Sequence, residues 1–184
     1  MKKLALALAA TGLCVSTTLT TVTPAAALET YAAKMMASDV ASQARVDMIE
    51  AFGPKRLKPG QYLWRDVPAS AGPERVVVSL SDQLAFLYRG NTLMAVATIS
   101  SGEPGRDTPT GIFRVLDKKP MHRSRKYDNA PMPFAQFIDQ HGIALHAGHN
   151  PGRPASHGCV RLPAPFAKKL FTVTQVGTPV YIGA

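Results

Sequence analysis

Residues 75–100 read RVVVSLSDQLAFLYRGNTLMAVATIS and carry the strongest secondary-structure signal in this 184-residue chain. Three short runs within them are rich in β-branched, aromatic and other apolar residues, at 76–78, 84–88 and 93–99. Gly90 and Asn91 separate the last two runs and are typical of a two-residue hairpin turn. The stretch therefore predicts an antiparallel β-meander.

Similar patterns continue towards the C-terminus. Further strands are predicted at 112–116, around 134–138, at 143–146 and at 180–182, and a short helix at 165–174. Residues 101–110 and 118–133 are rich in Pro, Gly, Asp and Arg and are predicted to be long loops, the second of them a lid over a site. Together these features predict a mainly β domain, a sandwich or barrel with one or two short helices.

A helix is predicted before this domain, in residues 30–52. Its small or apolar side chains recur at helical spacing, at Ala37, Ala41, Ala44, Met48 and Phe52. Gly53 and Pro54 are expected to end it. The basic, Pro- and Gly-rich segment 55–73 predicts a linker or an ordered arm, so we divide the chain into 28–73, helix and arm, and 74–184, the main domain.

Residues 1–27 have the features of an export signal. Lys2 and Lys3 give a charged start, residues 4–15 are largely apolar, and three alanines at 25–27 supply small residues for cleavage. An apolar run of about a dozen residues is too short to cross ~30 Å of hydrocarbon. We expect an exported protein whose mature chain starts near Leu28; a retained N-terminal anchor is the alternative.

The charge of the chain narrows the choice of partners. The net charge is +9, and loss of Lys2 and Lys3 would leave +7. The basic residues are scattered, and the five Tyr and single Trp do not interleave with them as a stacking platform for nucleic acid would. Nucleic acid is therefore not a predicted partner. A carboxylate-rich polymer is a better match for the positive charge. A positive charge that serves only solubility would give the same composition.

Cysteine usage points to chemistry near the C-terminus. The chain has two cysteines, and Cys14 lies within the predicted signal, so Cys159 would be left without an intramolecular partner. A lone thiol is unusual in an oxidising compartment. A buried inert thiol is one alternative and a zinc site with the nearby histidines is another. A structural zinc site normally uses paired cysteines, so no metal is predicted, although a catalytic site with three protein ligands stays open. No organic cofactor is predicted either.

The histidines before Cys159 supply candidates for a catalytic base. A nucleophilic thiol needs a base and donors for the oxyanion, and pairing with an imidazolium is expected to lower its pKa. His146 ends an apolar strand and is the predicted base, with His149 and His157 as alternatives; His122 and His141 are predicted to be ordinary surface or loop histidines. Gly158 allows close approach of backbone amides to an oxyanion.

Chain order excludes one class of cysteine enzymes. Papain-like enzymes place the cysteine before the histidine, and no histidine follows Cys159. The order histidine, cysteine and arginine on a β scaffold leaves two classes, sortase-like and L,D-transpeptidase-like enzymes. A sortase would place its arginine on a separate later strand, whereas Arg161 lies two residues after Cys159.

The sequence resembles one family through three ordered motifs. Ser156-His157-Gly158-Cys159-Val160-Arg161-Leu162 resembles the active-site motif of the YkuD-type L,D-transpeptidases, residues 145–148 resemble its histidine element, and residues 108–111 its Thr-Pro-x-Gly segment. The resemblance covers about 76–184. It implies that Cys159 is the nucleophile, that His146 is acid and base, and that Ser156, His157 and Gly158 shape the site and its oxyanion donors. Arg161 would hold a substrate carboxylate or brace the loop, with a structural salt bridge as the alternative.

The family resemblance also implies a reaction and a location. The donor would be a peptidoglycan stem tetrapeptide, cut between the L-centre of a diamino acid and the terminal D-alanine through a Cys159 thioester. The acceptor would be an amine of another stem, of an envelope lipoprotein or of a free D-amino acid, serving cell wall organisation and cell shape. Water as acceptor would make a carboxypeptidase, and a silent site would make a wall-binding protein. Carbapenem-type inhibitors are expected to acylate Cys159, and the periplasm or cell envelope of a bacterium is the expected location.

Overall fold

The computed structural model describes residues 27–184, so the predicted export signal lies outside the described residues except for Ala27. The elements are β1 Ala27–Leu28, α1 Tyr31–Phe52, β2 Tyr62–Trp64, a 3-10 turn Ala69–Ala71, β3 Glu74–Ser79, β4 Leu84–Arg89, β5 Thr92–Thr98, β6 Gly111–Arg114, β7 Asp117–Arg123, β8 Pro131–Phe137, β9 Ala144–Ala147, β10 Val160–Leu162, α2 Ala164–Val173 and β11 Pro179–Gly183. A seven-stranded sheet has the order β1-β6-β11-β3-β4-β5-β2, and a four-stranded sheet has the order β10-β9-β8-β7. The mainly β class is confirmed.

The predicted meander forms the middle of the larger sheet. β3 pairs antiparallel with β4, and β4 with β5, with Phe86 opposite Val77 on one side and Val96 on the other. Gly90 makes the hairpin turn with a φ of 55°, in the left-handed region that glycine adopts without strain. Because side chains alternate along a strand, this sheet buries apolar residues on both of its faces.

Each face of the larger sheet has its own core. One core includes Val76, Val78 and Leu87 and extends to the smaller sheet and to Phe166 of α2. The other includes Val77 and Phe86 and is covered by α1. The smaller sheet and α2 therefore lie on one side of the central sheet, and α1 lies on the other.

Helix α1 confirms the helix predicted at the N-terminus. Thr30 caps its start, because its hydroxyl accepts a hydrogen bond from the amide of Ala33 at 3.2 Å. Gly53 ends it with a φ of 79°, as expected from the Gly-Pro pair. Its buried face consists of small residues and one large side chain, at Ala33, Ala37, Ala41, Ala44 and Met48. Among residues 27–184, no helix is long and apolar enough to span a membrane.

The segment 55–73 is an ordered arm and contributes a strand. β2 lies within it and pairs antiparallel with β5 at the edge of the larger sheet. Trp64 of this strand packs edge-on against Phe166, with ring centroids 6.1 Å apart. The division between arm and main domain at residue 74 stays a prediction.

The prediction of a long loop at 118–133 is wrong. These residues form most of a hairpin in which β7 pairs antiparallel with β8, with Lys118 opposite Gln136 and Arg123 opposite Pro131. Only the hairpin tip, residues 124–130, connects the two strands. The prediction failed because β7 is a mostly exposed edge strand, where lysine, arginine and proline replace the β-branched residues that mark buried strands. Strand β10 was also not predicted, whereas residues 101–110 do form a loop.

Candidate active site

The pairing of two short strands brings the predicted nucleophile and base into one cleft. β10 runs parallel to β9, with Val160 opposite Leu145 and Arg161 opposite His146. Val160 and Leu145 belong to the core, so alternation along the strands turns His146, Arg161 and the preceding Cys159 to the other side. There they line a cleft of about 1130 Å³. Residues of the hairpin formed by β7 and β8, in the same sheet, also line this cleft.

The loop before β10 is held by hydroxyl groups from two segments. The Ser156 hydroxyl accepts a hydrogen bond from the Gly158 amide at 3.1 Å and donates one to the Cys159 carbonyl. The Thr108 hydroxyl donates to the Gly158 carbonyl at 2.8 Å and accepts from the Gly102 amide at 2.8 Å. Because these groups are buried, each bond satisfies a polar atom that water does not reach.

Gly158 cannot be replaced without disturbing this loop. Its φ is 110°, a conformation that L side chains rarely adopt, and an added Cβ would lie 2.8 Å from the Ile143 Cδ1. The conformation and packing of the loop therefore favour glycine at this position, while its site-shaping role stays a prediction. Its amide is already bonded to Ser156, so it is not itself a free donor for an oxyanion.

His146 is a buried, neutral imidazole. It is 7% exposed, and burial lowers its pKa to about 4, with Arg161 lowering it further and a backbone hydrogen bond opposing the change. Its Nδ1 lies 2.8 Å from the Ala147 carbonyl oxygen. A carbonyl can only accept, so in the neutral ring Nδ1 carries the hydrogen and Nε2 is left with a free lone pair. That is the protonation state a general base requires.

Cys159 is a protonated thiol in the resting protein. Burial raises its pKa, as does the charge of Asp139, while a hydrogen bond from the Ala144 backbone and the charge of Arg161 act in the opposite direction. The thiol also lies 3.7 Å from the Gly142 carbonyl oxygen. The prediction that pairing with an imidazolium lowers the pKa of Cys159 is therefore wrong for the resting state. Burial disfavours both the thiolate and the imidazolium.

The other four histidines also line the cleft. His157 is half-buried; its ring stacks on Tyr127 at a centroid distance of 4.2 Å, and its Nε2 lies 3.8 Å from a Glu103 carboxylate oxygen. His122 packs edge-on against Phe137 at 5.1 Å, which gives it a packing role. His141 and His149 are exposed.

Arg161 faces the cleft without an acidic partner. Its guanidinium donates to the Ala155 carbonyl at 3.1 Å, and its methylene groups lie against Gly148, where an added Cβ would be 3.2 Å from the Arg161 Cγ. None of the four ion pairs within residues 27–184 includes Arg161. A structural salt bridge is therefore not its role within the described chain, whereas a brace to the preceding loop is observed.

Comparison with known proteins assigns the fold and motifs to a family. Residues 73–182 match the family model described as the YkuD L,D-transpeptidase catalytic domain. The chain belongs to this family. The match begins after α1 and β2, so the family's shared part is the two-sheet body that carries the cleft.

Individual L,D-transpeptidase relatives agree with this assignment. The YkuD protein of Bacillus licheniformis is 27% identical over 116 residues, which cover 60% of this chain and 66% of the relative. The L,D-transpeptidase from Xylanimonas cellulosilytica has a TM-score of 0.55 and 26% identity, covering 65% of this chain and 64% of that one. LdtMt1, solved in complex with imipenem, has a TM-score of 0.55 and 22% identity, covering 59% and 58%. The chain thus spans less than two thirds of each relative's length.

Thr108 was missed when the site residues of this L,D-transpeptidase fold were predicted. The only available signal was the resemblance of residues 108–111 to the family's Thr-Pro-x-Gly segment. Its bond to Gly158 joins positions 50 residues apart, and local spacing cannot reveal such a contact. Within residues 27–184, no group of three or more His, Cys, Asp or Glu side chains is arranged to hold a metal ion.

Proposed function

We propose that this chain is a peptidoglycan L,D-transpeptidase that acts through a Cys159 thioester. The observation that supports it best is the register of β9 and β10, which turns Cys159 and His146 to one cleft. The donor is a stem tetrapeptide. Its bond between the L-centre of a diamino acid and the terminal D-alanine is the one cleaved.

The neutral dyad suits a reaction in which proton transfer accompanies attack. His146 Nε2 takes the thiol proton as Sγ attacks the carbonyl, so the charged pair forms only with the oxyanion. The amide of Cys159 is the proposed donor to that oxyanion, because the Gly158 amide is bonded to Ser156. Ser156, Thr108 and Gly158 hold the loop in the required shape.

His146 then serves both half-reactions. Its buried imidazolium is a strong acid, since its pKa is held at about 4, and it gives its proton to the departing D-alanine amine. The thioester remains on Cys159. In the second half, an acceptor amine attacks the thioester and loses its proton to His146. The C–S bond then breaks as the new amide forms, and the leaving thiolate takes the proton back from His146. No cofactor is needed for these steps.

The remaining parts of the proposal concern substrate and inhibitor. Arg161 is proposed to bind the carboxylate of the terminal D-alanine, because it is a cleft cation without an acidic partner among the described residues.

The complex of LdtMt1 with imipenem supports acylation of Cys159 by carbapenems. The envelope location of peptidoglycan makes the periplasm or cell envelope the proposed place of action.

The proposal is tested by incubating the protein with disaccharide tetrapeptide and analysing the muropeptide products. We expect cross-linked dimers from the native protein and none from Cys159→Ala. His146→Ala should lower turnover by about 10²–10⁴-fold, the usual contribution of a general acid–base group. His149→Ala is the matched control, since His149 is an exposed histidine of the same cleft. Full activity of Cys159→Ala would refute the proposal, and tripeptide without dimers would indicate a carboxypeptidase.

A further inference from the structure

The hairpin tip, residues 124–130, is a folded turn next to the nucleophile's loop. The Ser124 amide donates to the Ala130 carbonyl at 2.9 Å, and the Ala130 amide donates to the Tyr127 carbonyl at 2.8 Å. Tyr127 stacks on His157, which lies two residues before Cys159. The tip therefore has a defined position beside the cleft, and residues 124–127 and Ala130 line the space where a substrate would lie.

Acidic side chains pair with only part of the positive charge that lines the cleft. The charged groups lining the cleft, apart from its histidines, are Lys119, Arg125, Lys126, Arg161, Asp117 and Asp139. Lys119 pairs with Asp117 at 3.3 Å. The Asp139 carboxylate accepts hydrogen bonds from the amides of His141 and Ile143 at 2.9 and 2.8 Å.

The other three cleft cations have no acidic partner among the described residues, although Arg161 donates to the Ala155 carbonyl and Lys126 lies 5.5 Å from the centre of the Tyr127 ring. No ion pair within residues 27–184 includes Arg125, Lys126 or Arg161. Arg161 lies on β10, whereas Arg125 and Lys126 lie on the hairpin tip, and all three side chains line the cleft. Two separate cationic positions fit a substrate with two separate carboxylates, and the field of the cleft also attracts such a substrate from solution.

We infer that Arg125 and Lys126 form a second carboxylate subsite, which selects stem peptides whose diamino acid retains a free side-chain carboxylate over stems in which that carboxylate is amidated. The inference rests on the proposed function, because that function makes a stem peptide the substrate and gives its terminal carboxylate to Arg161. Amidation removes the charge but keeps the size of the group. The selectivity is therefore electrostatic and falls as salt shortens the screening length from about 10 Å at 0.1 M to about 3 Å at 1 M.

The test measures binding separately from turnover. The full chain carrying Cys159→Ala is titrated by calorimetry with two disaccharide tetrapeptides that differ only in amidation of the diamino acid's side-chain carboxylate. At 0.1 M salt we expect the free carboxylate to bind about twofold to fivefold more tightly, as for exposed ion pairs. The added pair Arg125→Gln/Lys126→Gln should bring the ratio of the two dissociation constants close to one.

A charge-matched control separates the subsite from net charge. Lys34 and Lys168 are exposed lysines on α1 and α2 and do not line the cleft, so Lys34→Gln/Lys168→Gln removes the same charge elsewhere. This control should keep the ratio. A ratio near one in the parent, an unchanged ratio in Arg125→Gln/Lys126→Gln, or no binding of either peptide would overturn the subsite.

Turnover of the same two peptides by the native protein distinguishes the two proposals. If neither peptide is turned over but the ratio of their dissociation constants is as predicted, the transpeptidase function is refuted and the subsite is supported. If both peptides are turned over and bind with equal dissociation constants, the subsite is refuted and the transpeptidase function is supported.

Discussion

The Thr108 hydroxyl holds a loop 50 positions later in the chain through its bond to the Gly158 carbonyl. Replacing Thr108 with valine keeps the shape of the side chain but leaves the Gly158 carbonyl and the Gly102 amide without their partner. Unsatisfied buried groups of this kind cost about 1–3 kcal/mol. We therefore expect Thr108→Val to lower the free energy of unfolding by that amount, measured by urea denaturation, and to lower turnover as the Cys159 loop loosens.

Thr110→Val is the control for this change. Thr110 belongs to the same segment but is only half-buried, and the same substitution there should alter the free energy of unfolding by less than about 0.5 kcal/mol. Equal effects of the two substitutions would show that the hydroxyl of Thr108 has no special place in the loop.

The buried imidazole of His146 makes stability depend on pH. Its pKa is about 4 in the folded protein and near 6.5 in the unfolded chain, so between these values the unfolded chain binds the extra proton. The contribution of the neutral His146 to the free energy of unfolding is therefore fully present above pH 6.5. It is lost as the pH falls towards 4, which lowers the free energy of unfolding by up to about 3 kcal/mol. Urea denaturation at pH 7.5 and pH 4.5 should show a drop that is smaller in His146→Gln. Parallel pH curves for the two proteins would contradict the buried neutral imidazole.

The β7–β8 hairpin supplies many of the residues that line the cleft. The contact of Tyr127 with His157 holds its tip, and an aromatic pair of this geometry contributes about 0.5–1.5 kcal/mol. We expect Tyr127→Ala to speed hydrogen exchange at the Ser124 and Ala130 amides by about twofold to tenfold without changing global stability. Met121→Ala is the control, because Met121 is an exposed side chain of β7. Exchange that is unchanged in Tyr127→Ala would mean that the tip is held by other contacts.

The same hairpin marks the limit of what local sequence patterns could predict. The meander at 75–100 was predicted well, because its strands are buried and its turn carries Gly-Asn. The hairpin was missed because an exposed edge strand needs no apolar alternation, and residues such as Lys119 and Pro120 suggest a loop. Short β10 was missed for a different reason: its pairing with β9 depends on contacts fifteen residues apart rather than on its own three residues.

For the candidate site, the order of the motifs along the chain predicted which residues meet in the cleft, but not their protonation states or contacts. Cys159 and His146 were singled out from chain order and strand position, and the structure brings them to one cleft. Their protonation states could not be predicted, because these depend on how deeply each side chain is buried. The bond from Thr108 to Gly158 and the stacking of Tyr127 on His157 are likewise products of tertiary packing.

The molecule as a whole depends on α1, although the family match begins only at residue 73. Met48 is 1% exposed and lies in the core on the side of the large sheet opposite the cleft. Met48→Ala should therefore lower the free energy of unfolding by about 2–5 kcal/mol, as for other large buried side chains. Met36 of the same helix is 54% exposed, and Met36→Ala should cost less than about 0.5 kcal/mol. Similar effects at both positions would mean that α1 is not part of the folded core.

The proposed transpeptidase mechanism depends above all on a covalent intermediate at Cys159. Intact-protein mass spectrometry after acid quench of a reaction with disaccharide tetrapeptide measures it. We predict a mass increase equal to the substrate minus D-alanine, located at Cys159 by peptide mapping and absent from Cys159→Ala. Product formation by a protein whose mass stays unchanged at every quench time, or an adduct on a different residue, would contradict it.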